Sequence, residues 1–253
     1  MVRVDGHSVT VKCSGTERAA SPTVFLLAGL TKSLTTFTFI QDRLSRVTKV
    51  CSYDRPGEGS SPQPERRQTL ADSARLLHDL LSALHLAPHG IVLVGHSLGG
   101  DVAARYASQY RHTHQVKAVV LLDATPVGFA HELQRVIPPG APGFPGEVRR
   151  GNLAIASGVN PERLLLAAVP MTPIGDVPLT VVRHGRPIFS AVPKYGQRME
   201  DRWVKGQRMW LRLSTRSRMV VAKSSGHPIY LDQPSLTLQL VRRAISEARQ
   251  GAR

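Results

Sequence analysis

The sequence predicts an α/β fold built on a mainly parallel, doubly wound sheet, and three observations carry that expectation. Short β-branched or aliphatic runs alternate with longer segments of helical periodicity, the pattern of strands joined by crossover helices. Runs such as "TVFLLAG" at 23–29 and "AVVLLD" at 118–123 are apolar almost throughout, as strands buried on both faces must be. At 253 residues, 42% hydrophobic and 20% charged, the chain is long enough for one large domain with a sizeable core and is poorly matched to two.

Taken in order, "VRVDG" and "SVTVKC" alternate around Asp5-Gly6 and read as a hairpin. "TVFLLAG" and "KVCSYD" at 49–54 follow as buried strands with a short helical segment between them. In "TLADSARLLHDLLSALHLA", Leu70, Ala74, Leu77, Leu80, Leu81 and Leu84 recur at helical spacing, and Thr69 or Asp72 can start the helix. "IVLV" at 91–94, "AVVLLD", "LTVVRHG" at 179–185 and "RMVVAKSSGH" at 218–227 add four strands, which brings the expected sheet to eight. Between Thr125 and Pro178 the texture changes to Pro- and Gly-rich chain with two or three short amphipathic pieces. An insertion of this size within one sheet reads as a small helical cap over a pocket, placed after the sixth strand. The expected division is a core of 1–125 and 179–253 and a cap of 126–178.

The formal charge of +15 raises a nucleic-acid or membrane-surface reading, and it is concentrated late. From Arg183 to Arg253 fifteen Lys or Arg face four carboxylates. Zinc-finger, RNP-like and helix-turn-helix patterns are missing, so a solvated basic face is expected and a nucleic-acid partner is not. In "RMEDRWVKGQRMWLRL", Arg198, Arg202, Lys205, Arg208 and Arg212 lie opposite Met199, Trp203 and Trp210, which suits the wet side of a docked helix or, alternatively, a lipid-surface binder. No apolar run approaches the roughly 18 residues of a membrane span, and the start lacks the apolar region of a signal peptide, so a cytoplasmic location is expected. Cys13 and Cys51 fall in strand-like segments without C-x-x-C spacing and read as reduced thiols. His112 and His114 lack a third ligand nearby, and neither a metal nor a cofactor is expected.

The chemistry concentrates in "IVLVGHSLGG" at 91–100. An apolar strand runs into Gly95-His96-Ser97-Leu98-Gly99-Gly100 and then into "DVAARYASQY", the strand, sharp turn and helix of a nucleophile elbow. Gly95 and Gly99 lack the Cβ atoms that would collide there, and Ser97 is pushed out at the carboxyl edge of the sheet above a helix N-terminus. A serine becomes a nucleophile only when a base takes its proton.

With that motif, "YDRPGEGSS" at 53–61 and "SSGHPIYLDQP" near the end, the sequence resembles the α/β-hydrolase family over nearly its whole length, in its serine esterase branch with a short cap. The resemblance implies that His227, in a loop between the last strand and the last helix, is the base. The family commonly draws its acid from the loop after the seventh strand, but "RHGRPIFSAVPKYG" holds no carboxylate before Glu200, and His184 and Arg186 stand there instead. Asp123, at the tip of "AVVLLD", is the expected acid, with Asp201 as runner-up, Asp232 too near His227 in the chain and Asp176 ahead of its strand. The order Ser97, Asp123, His227 fits the family's serine, acid, histidine order.

The resemblance further implies an oxyanion hole from the main-chain N–H of Leu98 and of Leu30, the latter in "LLAGLTKS", where Ala28 replaces the usual histidine. Thr31 and Ser33 line the same edge or cap the following helix, His96 packs under the elbow, and Asp54 paired with Arg55 reads as a structural turn. Phe129, Phe144 and Arg186 are candidate pocket residues. The expected function is a serine hydrolase that cleaves an ester of a small, hydrophobic substrate. Acyl transfer, thioester or carbon–carbon cleavage, and a non-catalytic ligand-binding role are the alternatives.

Overall fold

The computed structural model describes residues 1–18, 21–86 and 89–250. Strands β1 (Val2–Val4) and β2 (His7–Val9) form the expected hairpin, turning at Asp5 and Gly6, both with positive φ. The second arm breaks at Thr10, whose N–H donates to Ser61 Oγ at 3.0 Å, and resumes as β3 (Val11–Ser14) in the central sheet. Among the described residues that sheet therefore has seven strands rather than eight, because β1 pairs there with β2 alone.

The other sheet strands are β4 (Thr23–Leu27) and β5 (Val50–Tyr53), with α1 (Thr38–Leu44) between them. After the two-residue strand β6 (Gln68–Thr69) come α2 (Leu70–Ala83), β7 (Ile91–His96), α3 (Leu98–Tyr110) and β8 (Val116–Leu122). The segment 126–178 holds α4 (Phe129–Val136), α5 (Gly143–Ala156) and β9 (Leu164–Leu165). The chain closes with β10 (Leu179–His184), α6 (Gly196–Trp210), β11 (Ser217–Ala222), α7 (Ile229–Asp232) and α8 (Pro234–Gln250). The strand order is β11-β10-β8-β7-β4-β5-β3, parallel throughout except for β3 against β5.

Successive strand residues point to opposite faces, so each apolar run feeds two cores. Phe25, Leu27, Leu93, Val119 and Leu121 pack with Leu77 and Leu80 of α2 and Val102 and Tyr106 of α3. Val24, Leu26, Val92, Val94 and Val120 pack with Ile40 and Leu44 of α1 and Leu240 and Val241 of α8. Thr69 caps α2 as the sequence suggested, its hydroxyl taking the Asp72 N–H at 3.1 Å while Asp72 Oδ2 takes the Thr69 N–H at 2.9 Å. Among the described residues no helix is long and apolar enough to cross a membrane.

Helix α6 lays Met199, Trp203 and Trp210 into the protein and leaves Arg198, Arg202, Lys205 and Arg208 in water. Its apolar side meets Phe129 and Leu133 of α4, and Gly206 sits so close to Pro126 that a Cβ there would fall 2.3 Å from the proline ring. On the other side β9 pairs with β6, and a buried ion pair joins Glu162 to Arg55 with contacts of 2.7 and 2.8 Å.

The reading of the cysteines as reduced thiols is overturned. The antiparallel register of β3 and β5 sets Cys13 directly opposite Cys51, and the two form a disulfide. Such bonds persist in oxidising surroundings, which weighs against the cytoplasmic expectation. Register across an edge strand leaves no mark in C-x-x-C counting, so the pairing was hidden in the sequence. Reductant should lower the unfolding free energy by about 2–4 kcal/mol, read as a fall in the urea midpoint, and Cys13→Ser/Cys51→Ser should show no such response.

Candidate active site

The turn between β7 and α3 is made in one residue. Ser97 has φ 52 and ψ −123, a conformation that costs an L-residue energy and persists only where its surroundings impose it. The surroundings are visible. A Cβ on Gly95 would stand 2.3 Å from Gly99 O, and one on Gly99 would stand 2.3 Å from Leu27 O, so strand, helix and the end of β4 touch through main chain. Ser97 N–H donates to Leu122 O at 3.1 Å, and Ser97 O accepts from Gly100 N–H at 2.9 Å and Thr125 N–H at 3.0 Å.

The half-buried Ser97 side chain faces a cavity of about 510 Å³ between the sheet edge and the segment 126–178. Its Oγ shares a hydrogen bond of 3.3 Å with Thr125 Oγ1, so the hydroxyl is parked on a neighbour. Leu30 and Leu98 line the same cavity, and among the described residues the main-chain N–H of neither has an acceptor. Two unpaired donors beside a hydroxyl, one at the first turn of a helix, can hold a negative charge that develops on a carbonyl oxygen.

His227 also lines the cavity, its side chain about one-third exposed. Its Nδ1–H donates to Asp123 Oδ2 at 2.7 Å, which leaves Nε2 as the nitrogen free to take a proton. Asp232 braces the histidine loop by accepting from Gly226 N–H at 2.8 Å and Ser225 Oγ–H at 3.2 Å. His96, buried beneath, donates Nε2–H to His227 O at 3.0 Å, and burial together with the nearby His227 pushes its ring down to about 3. It is a neutral strut.

Asp123 is fully buried at the tip of β8. Burial opposes its charge, but side-chain donors from His184 and His227 outweigh that cost and hold the carboxyl at about 2. His184 donates Nδ1–H to the same Oδ2 at 2.7 Å, and Trp203 donates Nε1–H to Oδ1 at 3.0 Å. Sequence reasoning missed His184, Trp203 and Glu200, which bonds the other nitrogen of the His184 ring. A signal existed, because a histidine stood at the strand end where an acid was sought. Asp201, the runner-up acid, is exposed and takes a hydrogen bond from Gln197 at 2.9 Å.

Phe129 lines the cavity together with Leu133, Ile188, Phe189, Met199 and Trp203. Phe144 and Arg186 do not, which corrects two pocket expectations. Phe144 is 49% exposed, because α5 turns Pro145 and Gly146 inward instead. Arg186 N–H is tied to Ser225 O at 2.9 Å, and its side chain stays in solvent.

The segment 54–58 holds the loop that carries Leu30. Asp54 accepts from Leu34 N–H at 2.6 Å and from Ser60 N–H at 2.9 Å, and Glu58 accepts from Thr31 N–H at 2.7 Å. Arg55 donates to Gly29 O at 3.0 Å and to Ala28 O while paired with Glu162. Asp54 and Arg55 thus serve different partners rather than each other. Ser33 caps the short helical turn that follows, its Oγ accepting from Thr35 N–H at 3.4 Å.

The family model described as "alpha/beta hydrolase fold" matches residues 22–169, more than half of the chain. The chain belongs to the alpha/beta hydrolase fold family. It is 33% identical over 91 residues to an uncharacterized protein of Mycobacterium tuberculosis, a match covering 36% of this chain and 26% of that one. It is 34% identical over 125 residues to a putative non-heme haloperoxidase of Mycobacterium phage D29, covering 49% of this chain and 42% of that one. The matches thus span less than half the length of these curated relatives. Among solved hydrolase-fold structures, an esterase from Thermogutta terrifontis superposes with a TM-score of 0.66 at 21% identity, covering 96% of this chain and 94% of that one. At that identity the likeness is one of fold.

The depressed Asp123 value has a stability consequence. The folded value of about 2 lies below the ordinary 3.8, so the carboxylate contributes stability that is fully present above about pH 4 and is lost as the pH falls through about 2. Between those limits wild-type stability should drop by about 2 kcal/mol more than that of Asp123→Asn, measured by urea unfolding at each pH.

Proposed function

We propose that this hydrolase-fold protein cleaves esters of small, apolar substrates through an acyl-enzyme. One observation carries the reading: a serine on a strained turn, an imidazole bonded to a buried carboxylate, and two unpaired main-chain N–H groups all meet one apolar cavity. Ser97 attacks the ester carbonyl while His227 Nε2 takes its proton, after rotation of the hydroxyl away from Thr125. The oxyanion is held by the N–H groups of Leu30 and Leu98. His227 then returns the proton to the departing alcohol, and a water activated by the same ring releases the acid. Asp123 fixes the tautomer and orientation of His227.

The cavity lining supports a hydrophobic acyl or alcohol group, because Phe129, Leu133, Phe189 and Trp203 offer no charge to a substrate. In this reading the segment 126–178 is the cap, and α4 and α5 shelter the reacting carbonyl from bulk water. The Thermogutta terrifontis esterase, on the same fold, is consistent with such chemistry.

A fluorophosphonate should label Ser97, and Ser97→Ala should abolish both the label and turnover of p-nitrophenyl esters. Asp123→Asn should keep the label site but lower kcat by about 10⁴, as expected when an imidazole loses its tautomer-fixing carboxylate. Tight ligand binding without labelling would instead indicate a binding protein on a hydrolase scaffold.

A further inference from the structure

The Asp123 carboxylate is shared between two imidazoles. Its Oδ2 accepts from Nδ1–H of His227 and of His184, each at 2.7 Å. The His184 ring, buried with 1% of its side chain exposed, places its other nitrogen against Glu200 Oε1. Glu200 is fixed in turn, since its Oε2 accepts from Ile188 N–H at 3.0 Å. Glu200 and Trp203 lie three residues apart on α6, so one helix face holds both His184 and Asp123.

Both nitrogens of His184 therefore face carboxylate oxygens. An ionised carboxylate only accepts, and a neutral imidazole has one N–H, so the ring satisfies both contacts only when it carries both protons. A neutral ring would set a nitrogen lone pair against a buried carboxylate oxygen, a contact that costs energy where no water can intervene. Burial works against the cation, and the two carboxylates work for it and raise its pKa.

We propose that His184, held as an imidazolium between Asp123 and Glu200, is a positioning residue of the ester-cleaving site and sets how strongly Asp123 retains the proton on His227. This rests on the roles assigned above to Ser97, His227 and Asp123. A cation bonded to Oδ2 weakens that oxygen as a partner for the His227 imidazolium. The Glu200 charge restores part of the loss from farther away, and the nearer His184 cation remains the stronger influence on Oδ2.

The other charged and titratable groups around this chain of contacts do not replace His184. His96, from β7, packs at a tilt against the His227 ring with centroids 4.5 Å apart and is held neutral. Lys32 acts on His96 from outside, and Arg183 turns back to donate to His184 O at 2.9 Å rather than to either carboxylate. Asp232 is spent on the Gly226 N–H and the Ser225 hydroxyl. His227 thus keeps its function as the exchanging base, while His184 keeps its protons.

The test is His184→Asn combined with Glu200→Gln. Asn places Nδ2 where Nδ1 stood and can still donate to Asp123, and the Gln leaves no buried carboxylate unpaired. With p-nitrophenyl ester as substrate, the acid limb of kcat/KM against pH should move up by about half to one unit, with KM unchanged and plateau kcat reduced less than about tenfold. A folded double variant whose pH profile overlays the wild type overturns the proposal, since a merely structural pair would leave the limb in place. Nitrogen-15 NMR of histidine-labelled wild type gives an independent reading. One ring, missing in His184→Asn, should remain doubly protonated above the ordinary histidine value of 6.5, and a His184 ring that gives up a proton at or below that value overturns the proposal even if the double variant fails to fold. Fluorophosphonate labelling of wild-type Ser97 separates the two levels: absence of label sinks the ester reading, whereas label with an unmoved acid limb sinks only the role of His184.

Discussion

The chain has to change from strand to helix at Ser97 in a single residue, and the rest of the site follows from that constraint. Conformations such as φ 52, ψ −123 cost an ordinary residue about 1–3 kcal/mol. Main-chain contact through Gly95 and Gly99 and hydrogen bonds to Leu122, Gly100 and Thr125 leave the turn no cheaper alternative. The same bend lifts the hydroxyl out of the sheet, brings the first turn of α3 beneath it, and leaves the Leu98 N–H without an acceptor among the described residues. A strained backbone and an unpaired donor are thus two views of one packing event.

Around this turn the charges are buried and arranged in chains rather than pairs. Asp123 is bonded by His227, His184 and Trp203, and Glu200 closes the far end. Ion pairs of this kind contribute little net stability compared with apolar residues of equal volume, because each charge must leave water. Their value lies in direction. Asp123 is held where two elements distant in sequence, α6 and the loop before α7, have to agree on its position.

Much of the fold was legible because buried parallel strands and crossover helices leave strong periodic signals. The capped start of α2 at Thr69 and the apolar face of α6 were both open to local reading. The hairpin at Asp5-Gly6 was visible too, but the break at Thr10 was not, since it depends on a hydroxyl from Ser61, far along the chain. The disulfide escaped for a similar reason: it depends on which residue of β3 lies opposite Cys51. At the site, Ser97 carried its own motif, whereas His184 and Glu200 lie in unrelated stretches and acquire meaning only when α6 folds back over β10. Phe144 was read from its place in the Pro- and Gly-rich segment and Arg186 from its place after the strand at 179–185, and neither says on which side of a helix or turn the side chain falls.

Arg55 grips Glu162 with two hydrogen bonds and, with its remaining N–H groups, the carbonyls of Ala28 and Gly29. One guanidinium therefore anchors the chain after α5 and the Leu30 loop at the same point. Any foreign segment grafted in place of 126–178 would have to bring its own carboxylate to that spot. Without one, a cation stranded in the interior would penalise the chimera by about 3–5 kcal/mol and loosen the Leu30 loop.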